Sequence, residues 1–349
     1  MHHPSVTIVF LVFNRKKELR ESLQRMLSES DYAGEVDAIV VDNASTDGSA
    51  EMVRDEFPQV RLIERAENVG VSGWNDGFAV AEGEWVLALD DDCYLPPDGL
   101  RRSVEAAAEY GADLVSYSVA STHDPDYRFT EKYRTGLFMF WGCAVLIRRS
   151  ALQELVGYDP EIFVWANELE FMIRFYDRGY RHLHFPEVVA QHMKKPPEKL
   201  PYDQIDWRPY RINGRHWGYI AAKLLQPRDA AEALIALVAH ELRDTFREHR
   251  SAITAVPGTL TGFAHGLRHR EPVRKPALSR FYRRNFETFA SPWWLMRPVR
   301  ELIRSLPREI AEGRFHHDRA PKGLGRRDEY YAERAQLYPE DEPAVLDFA

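Results

Sequence analysis

Three adjacent carboxylates, Asp90-Asp91-Asp92, follow directly on the apolar run Trp85–Leu89 (WVLAL). Carboxylates this close repel one another, so the cluster is stable at the end of a buried strand when a cation neutralises it. Hard oxygen ligands of this kind suit Mg2+ or Mn2+, ions that keep positions open for phosphate oxygens. The competing reading is a solvated acidic loop ahead of Leu95-Pro96. Polar groups also follow other apolar runs: Asn14-Arg15 after Thr7–Phe13, DNASTDG (Asp42–Gly48) after Val36–Val41, and ENVG (Glu67–Gly70) after Val60–Ile63. No GxGxxG follows the first run and no GxxxxGK[ST] occurs, which removes most support for a dinucleotide-binding or P-loop protein.

These groups need elements to hold them. Strands are expected at Thr7–Phe13, Val36–Val41, Val60–Ile63, Trp85–Leu89 and Leu114–Val119, with helices at Arg15–Leu27, Ser49–Glu56, Ser72–Ala81 and Asp98–Tyr110. The strands are rich in Val, Ile and Leu without clean alternation, as when helices cover both faces of a largely parallel α/β sheet. Ligands of such sheets bind at the carboxyl ends of the strands, where these polar groups fall. Past Thr122 the rhythm changes. Leu137–Ile147 reads as one or two strands, Glu168–Arg178 as a helix, and His182–Phe185 with Val188–His192 as two short strands. KKPPEKLP (Lys194–Pro201) stops any helix, so the domain boundary is expected near Pro201: a catalytic domain over 1–200, then a helical region over 201–338. Its helices are expected at Trp207–Leu224, Ala230–Arg250, Pro276–Phe289 and Trp293–Ser305, before a loose acidic tail at 339–349.

The 349 residues suffice for two domains with their own cores. Composition, 44% hydrophobic and 29% charged, excludes wholesale disorder. Two cysteines, Cys93 and Cys143, exclude a disulfide framework and fit a reducing, cytoplasmic compartment. Neither a secretory signal nor an apolar stretch near the roughly 18 residues of a membrane span is visible. The net charge of −8 conceals a basic block: Gly262–Arg308 holds eleven Lys/Arg against three acids, leaving −16 elsewhere. That pattern argues against nucleic-acid binding and leaves a local anionic partner open, such as the inner face of a membrane. The competing use of those helices is packing on protein, including a homodimer partner.

TIVFLVFNR (Thr7–Arg15), VDNASTDGS (Val41–Ser49), NVGVSGWNDG (Asn68–Gly77), LDDD (Leu89–Asp92), GCAVLIRR (Gly142–Arg149), GYDPEIFVWANELE (Gly157–Glu170) and GYRHLHFPEVVAQH (Gly179–His192) stand in the order of a known family. The chain resembles family-2 glycosyltransferases with the GT-A fold, most closely rhamnosyl- and galactofuranosyltransferase-like members. The resemblance spans roughly residues 5–192. It implies a Rossmann-like mixed, mostly parallel sheet flanked by helices, and a nucleoside-diphosphate sugar donor, UDP- or dTDP-linked. The acceptor would be a glycan, lipid-linked or small molecule.

Carried onto this chain, the resemblance implies that Asp42 contacts the nucleotide base, with Phe13 and Asn14 lining the pocket. Asn68, Gly70 and Asn75 would shape the loop around the diphosphate sugar, beside Asp90 and Asp91. Asp90 and Asp92 form the D-x-D pair, and His192 stands where a further ligand to Mg2+ or Mn2+ is expected. Glu168 is the expected general base, although Asn167-Glu168-Leu169-Glu170 departs from the usual ED-x-D or DD-x-E. Trp141, Gly142, Phe163, Trp165 and Glu170 are expected to border the acceptor pocket. The implied reaction is inverting transfer. Two alternatives are a nucleotide-sugar- or glycan-binding protein without turnover, suggested by Asn167, and a nucleotidyltransferase, which FNRKKEL disfavours for want of glycines.

Overall fold

The computed structural model describes residues 3–129, 140–196, 208–248 and 256–290. They group into two compact units, one before and one after residue 200.

The first unit is built on a nine-stranded sheet in the order β3-β2-β1-β4-β8-β6-β9-β5, with β7 added beside β6. β1 (Val6–Val12), β2 (Val36–Asp42), β3 (Arg61–Glu64) and β4 (Trp85–Asp90) form its parallel half. β8 (Ala144–Arg148) enters antiparallel between β4 and β6 (Leu114–Ser121), and β6 then pairs in parallel with β9 (His182–His192). Six of the nine strands therefore run one way, against β5 (Cys93–Tyr94), β7 (Asp124–Arg128) and β8. Helices α1 (Lys16–Ser28), α2 (Ser49–Glu56), α3 (Trp74–Val80) and α4 (Gly99–Tyr110) alternate with strands, as the apolar periodicity predicts. α1 buries Leu19, Ser22, Leu23 and Met26, one stripe at i, i+3, i+4, i+7. The main core joins Phe10, Val40, Leu87, Leu89, Tyr117 and Leu146 across the sheet.

Several elements differ from the sequence reading. β5 and β7 are too short to stand out as apolar runs, and α5 (Arg149–Leu155) follows β8 without a turn signal. His182–His192 forms one strand instead of two. Its register against β6 shifts between Tyr117 and Ser118, a bulge that accommodates Pro186. The expected strand at Leu137–Ile147 shrinks to Ala144–Arg148 within the described residues. α6 (Asn167–Asp177) lies where a helix was expected.

The second unit is helical: α7 (Arg208–Leu224), α8 (Pro227–Glu248), α9 (Val256–Arg268) and α10 (Pro276–Ala290). α9 was not anticipated, because Pro257 and three glycines in thirteen residues weaken its helical propensity. The expected helix at Trp293–Ser305 and the acidic tail at 339–349 lie outside the described residues. Among the described residues, no helix is long and apolar enough to cross a membrane.

Candidate active site

Parallel register brings the chemistry to one edge. Val12 stands opposite Asp42, Leu11 opposite Asp90, and Ser121 opposite His192, so the carboxyl ends of β1, β2, β4, β6 and β9 deliver their groups together. β5 then folds back along β9 and pairs Cys93 with His192, holding that histidine beside the carboxylates.

Asp90, Asp92 and His192 each place a ligand atom within 4.8 Å of the others. His192 Nε2 stands 3.1 Å from Asp92 Oδ1. His192 Nδ1 is buried without a hydrogen bond, and an orphaned polar atom of this kind beside two carboxylates fits a ligand role. Two carboxylates and one imidazole suit Mg2+ or Mn2+. Burial, then the neighbouring Asp92, pushes the Asp90 carboxyl up to about 6. Burial works in the same direction on Asp92, but the His192 contact and the Arg15 charge hold its carboxyl below the usual range.

Arg15 is the functional-site neighbour that sequence reasoning left without a role. Its guanidinium forms ion pairs with Asp91, at 3.2 Å, and with Asp92. The Phe13 amide donates to Asp91 Oδ2 at 3.4 Å. Asp91, expected among the nucleotide-sugar contacts, anchors the Phe13–Arg15 turn through these two contacts. Asp91 and Asp92 form the turn between β4 and β5, and Arg15 reaches both carboxylates from the end of β1.

On the nucleotide side, Phe13 is exposed and Asn14 adopts a left-handed φ of 55°. Asn14 Oδ1 accepts from the Thr46 amide at 2.7 Å, and its own amide donates to Ser45 Oγ at 3.0 Å, which ties the turn after β1 to the loop after β2. Asp42 is buried and accepts from the Ser45 amide at 3.2 Å; burial raises its pKa. Asn43, which carried no expectation, bridges this loop to the next: Nδ2 donates to Asn68 Oδ1 at 2.9 Å and to the Gly70 carbonyl at 3.0 Å, and Oδ1 accepts from the Val69 amide. Its place beside Asp42 in DNASTDG was the available signal.

Gly70 needs to be glycine. Its φ is +67°, and a Cβ would lie 1.9 Å from the Phe163 carbonyl oxygen. That carbonyl accepts from the Val71 amide at 2.8 Å, so the Asn68–Val71 loop is latched to the Phe163 segment. Asn75 donates to the Tyr158 carbonyl and accepts from the Tyr158 amide, both at 2.8 Å. With both ends of its amide engaged, Asn75, expected near the diphosphate sugar, positions the Tyr158 loop.

Glu168 sits in the first turn of α6, preceded by two strained residues, Trp165 (φ 61°) and Ala166 (φ 63°). Left-handed backbone at such residues costs of order 1–3 kcal/mol each, and strain of this kind collects at functional sites. Burial pushes the Glu168 carboxyl up to about 7, the Asp90 charge adding to the rise while the Gly142 amide opposes it. A Cβ on Gly142 would lie 2.1 Å from Glu168 Oε1, so the Glu168 carboxyl packs directly on Gly142. Phe163 and Trp165 are exposed, whereas Trp141 stacks on Phe129, which in turn packs against His192. Glu170 departs most from expectation. It is fully buried and grips Arg174, whose guanidinium also donates to the Leu155 and Gly157 carbonyls. Two positions along a helix is about 200° of rotation, so Glu170 faces the core while Glu168 faces the site, and Glu170 is no acceptor contact.

Residues 7–156 match the family described as Glycosyl transferase family 2. Glycosyltransferase AglE of Haloferax volcanii is 24% identical over 208 residues, 55% of this chain and 68% of that protein. The undecaprenyl-phosphate 4-deoxy-4-formamido-L-arabinose transferase of Pectobacterium atrosepticum is 31% identical over 182 residues, half of this chain and 53% of that one. The chain thus spans between about half and two thirds of the length of these curated relatives. Among solved structures, the mannosyltransferase PcManGT from Pyrobaculum calidifontis, determined with GDP-Man and Mn2+, superposes with a TM-score of 0.51 at 22% identity, covering 83% of this chain and 85% of its own. The sheet that gathers Asp42, Asp90, Asp92 and His192 at one edge has the GT-A fold of glycosyltransferases, and residues 7–156 within it are similar to the family-2 members.

Proposed function

We propose that the protein transfers a sugar from a nucleoside-diphosphate sugar to an acceptor hydroxyl with inversion at the anomeric carbon. The observation that carries this reading is the pairing of Glu168, a carboxyl raised to about 7, with the ligand-competent cluster Asp90, Asp92 and His192 on the same sheet edge. A base poised near neutrality both removes a proton efficiently and exists ionised at working pH. In this reading the acceptor oxygen attacks the anomeric carbon as its proton passes to Glu168. The bond to the diphosphate breaks with its electron pair leaving on the phosphate oxygen, and no covalent enzyme intermediate is needed. Asp90, Asp92 and His192 would hold Mg2+ or Mn2+, and the bound ion would offset charge on the leaving diphosphate.

Asp42, with Phe13 and Asn14, receives the nucleotide base, for which uridine and thymidine are the favoured readings. Gly70, held by Asn68 and Asn43, gives the sugar diphosphate a close backbone wall. Trp165 and Phe163 offer apolar ring faces to the acceptor. A lipid-linked acceptor is supported by the undecaprenyl-phosphate named for the Pectobacterium relative, and would place the protein at the periphery of a membrane.

Glu168→Gln tests the reading. It keeps size and hydrogen bonding but cannot take the proton, so transfer should fall by roughly 10²–10⁴-fold. Nucleotide-sugar binding, followed by calorimetry with Mn2+ present, should be retained. Near-normal turnover in this variant would move the base elsewhere.

A further inference from the structure

α9 is packed the opposite way round from an ordinary surface helix. Thr259, Gly262 and Gly266 face inward and are buried. A Cβ on Gly262 would lie 1.9 Å from the Arg215 carbonyl oxygen, and one on Gly266 2.3 Å from that of Tyr219, so α9 rests backbone to backbone on α7. The large apolar residues point away: Leu260 is 48% and Leu267 50% exposed, with Pro257 and Ala264 exposed beside them. Spacings of three, four and three residues put these four on one face. α8 repeats the pattern with Ile235, 69% exposed, and Leu242, 38% exposed. Small residues toward the neighbouring helix and leucines outward is the arrangement of helices whose surroundings are apolar.

Charge selects the partner. Among the described side chains of this unit the exposed acid is Glu271, whereas Arg215, Arg268, Arg274 and Arg280 are exposed and Arg228 pairs with Glu232. The other acids there are engaged within the unit: Asp229 and Glu232 pair with Arg283, and Glu241 accepts from Thr259. Arg268 follows directly on Leu267 at the end of the apolar face. An apolar face that ends in an exposed arginine, on a unit whose exposed charge is mostly positive, fits the boundary between acyl chains and anionic headgroups.

We propose that the outward face of α9, Pro257, Leu260, Ala264 and Leu267 with Arg268 at its end, docks the protein on an anionic phospholipid surface. The inference goes beyond the glycosyl-transfer reading and does not need it; it gives the membrane periphery a defined surface. The test uses the full chain in flotation with vesicles of phosphatidylcholine alone and with phosphatidylglycerol at about a 3:7 ratio. The protein should float with the anionic vesicles, not the neutral ones, and should be partly released at about 0.5 M salt. Leu260→Asp with Leu267→Asp should cut the bound fraction about ten-fold. The Leu260→Gln, Leu267→Gln pair should show the same direction with an unchanged melting curve, which separates lost docking from lost folding. No flotation of the wild type, or flotation of both double variants like wild type, overturns the proposal. So does a dimer in light scattering that the variants dissociate without any vesicle binding, which would assign the face to a second copy of the chain. No sugar donor is present, so failure here leaves the transfer reading to be judged by release of nucleoside diphosphate.

Discussion

Glu168 and Glu170 stand two positions apart on α6 and carry opposite fates. Glu168 has a pKa raised to about 7, so the acid limb of kcat should rise about ten-fold per pH unit below pH 7 and level off above it. A carboxyl raised in the folded state binds more protons folded than unfolded between its ordinary value and 7. Stability therefore falls as pH rises through that window, and Glu168→Gln, which removes the ionisable group, should not lower Tm at pH 8. Glu170→Gln is expected to do the reverse. It leaves the Arg174 guanidinium without its carboxylate inside the protein, a change that typically costs about 3–5 kcal/mol, while the activity of the folded fraction stays within about ten-fold. Thermal melts and turnover on both variants check the assignment. A stable Glu170→Gln enzyme without activity would return Glu170 to the site.

At the scale of elements, loops placed by separate strands work as one wall. Gly70 and Val71 follow β3, Phe163 precedes α6, and the two meet at a single amide–carbonyl hydrogen bond. Gly70→Ala must drive a methyl into the Phe163 carbonyl and hold alanine at φ +67°, so a loss of about 1–3 kcal/mol and a donor affinity weaker by about ten-fold are expected. Chemical denaturation and nucleotide-sugar titration measure both, and wild-type values in each would show that the latch is dispensable. In the helical unit, Thr259 of α9 donates to Glu241 of α8, whose carboxyl burial pushes up to about 7. The same sign applies: stability should fall from the ordinary carboxylate range up to about pH 7. Glu241→Gln should then stabilise the unit by about 1–3 kcal/mol at pH 8, read from urea midpoints at pH 5 and pH 8.

For the whole molecule, the expected outcome of chelation follows from where the ligands come from. Asp90 and Asp92 flank the end of β4, and His192 ends β9, strands separated in the sheet by β8 and β6. An ion bound there ties distant parts of the sheet, and by linkage it should raise Tm with increasing Mn2+ and lose that effect with EDTA or with His192→Ala. A Tm indifferent to Mn2+ in the wild type would remove the metal assignment.

The sequence alone determined the parallel half of the sheet and the strand-end positions of Asp42, Asp90 and Asp92, because buried strands write themselves as apolar runs and their polar punctuation is local. It also reached His192 and Glu168, through motifs that the resemblance supplied. Tertiary structure decided the rest. How the three adjacent aspartates are turned depends on the tight turn between β4 and β5 and on Arg15 arriving from β1. Whether Glu170 or Glu168 faces inward depends on the helix phase fixed by Arg174 reaching the Leu155 and Gly157 carbonyls. That Asn75 holds Tyr158, 83 positions away, has no trace in the local pattern. α9 was invisible because glycine and proline argue against a helix in isolation. Only packing against α7 shows why the glycines are needed there and why the leucines point outward.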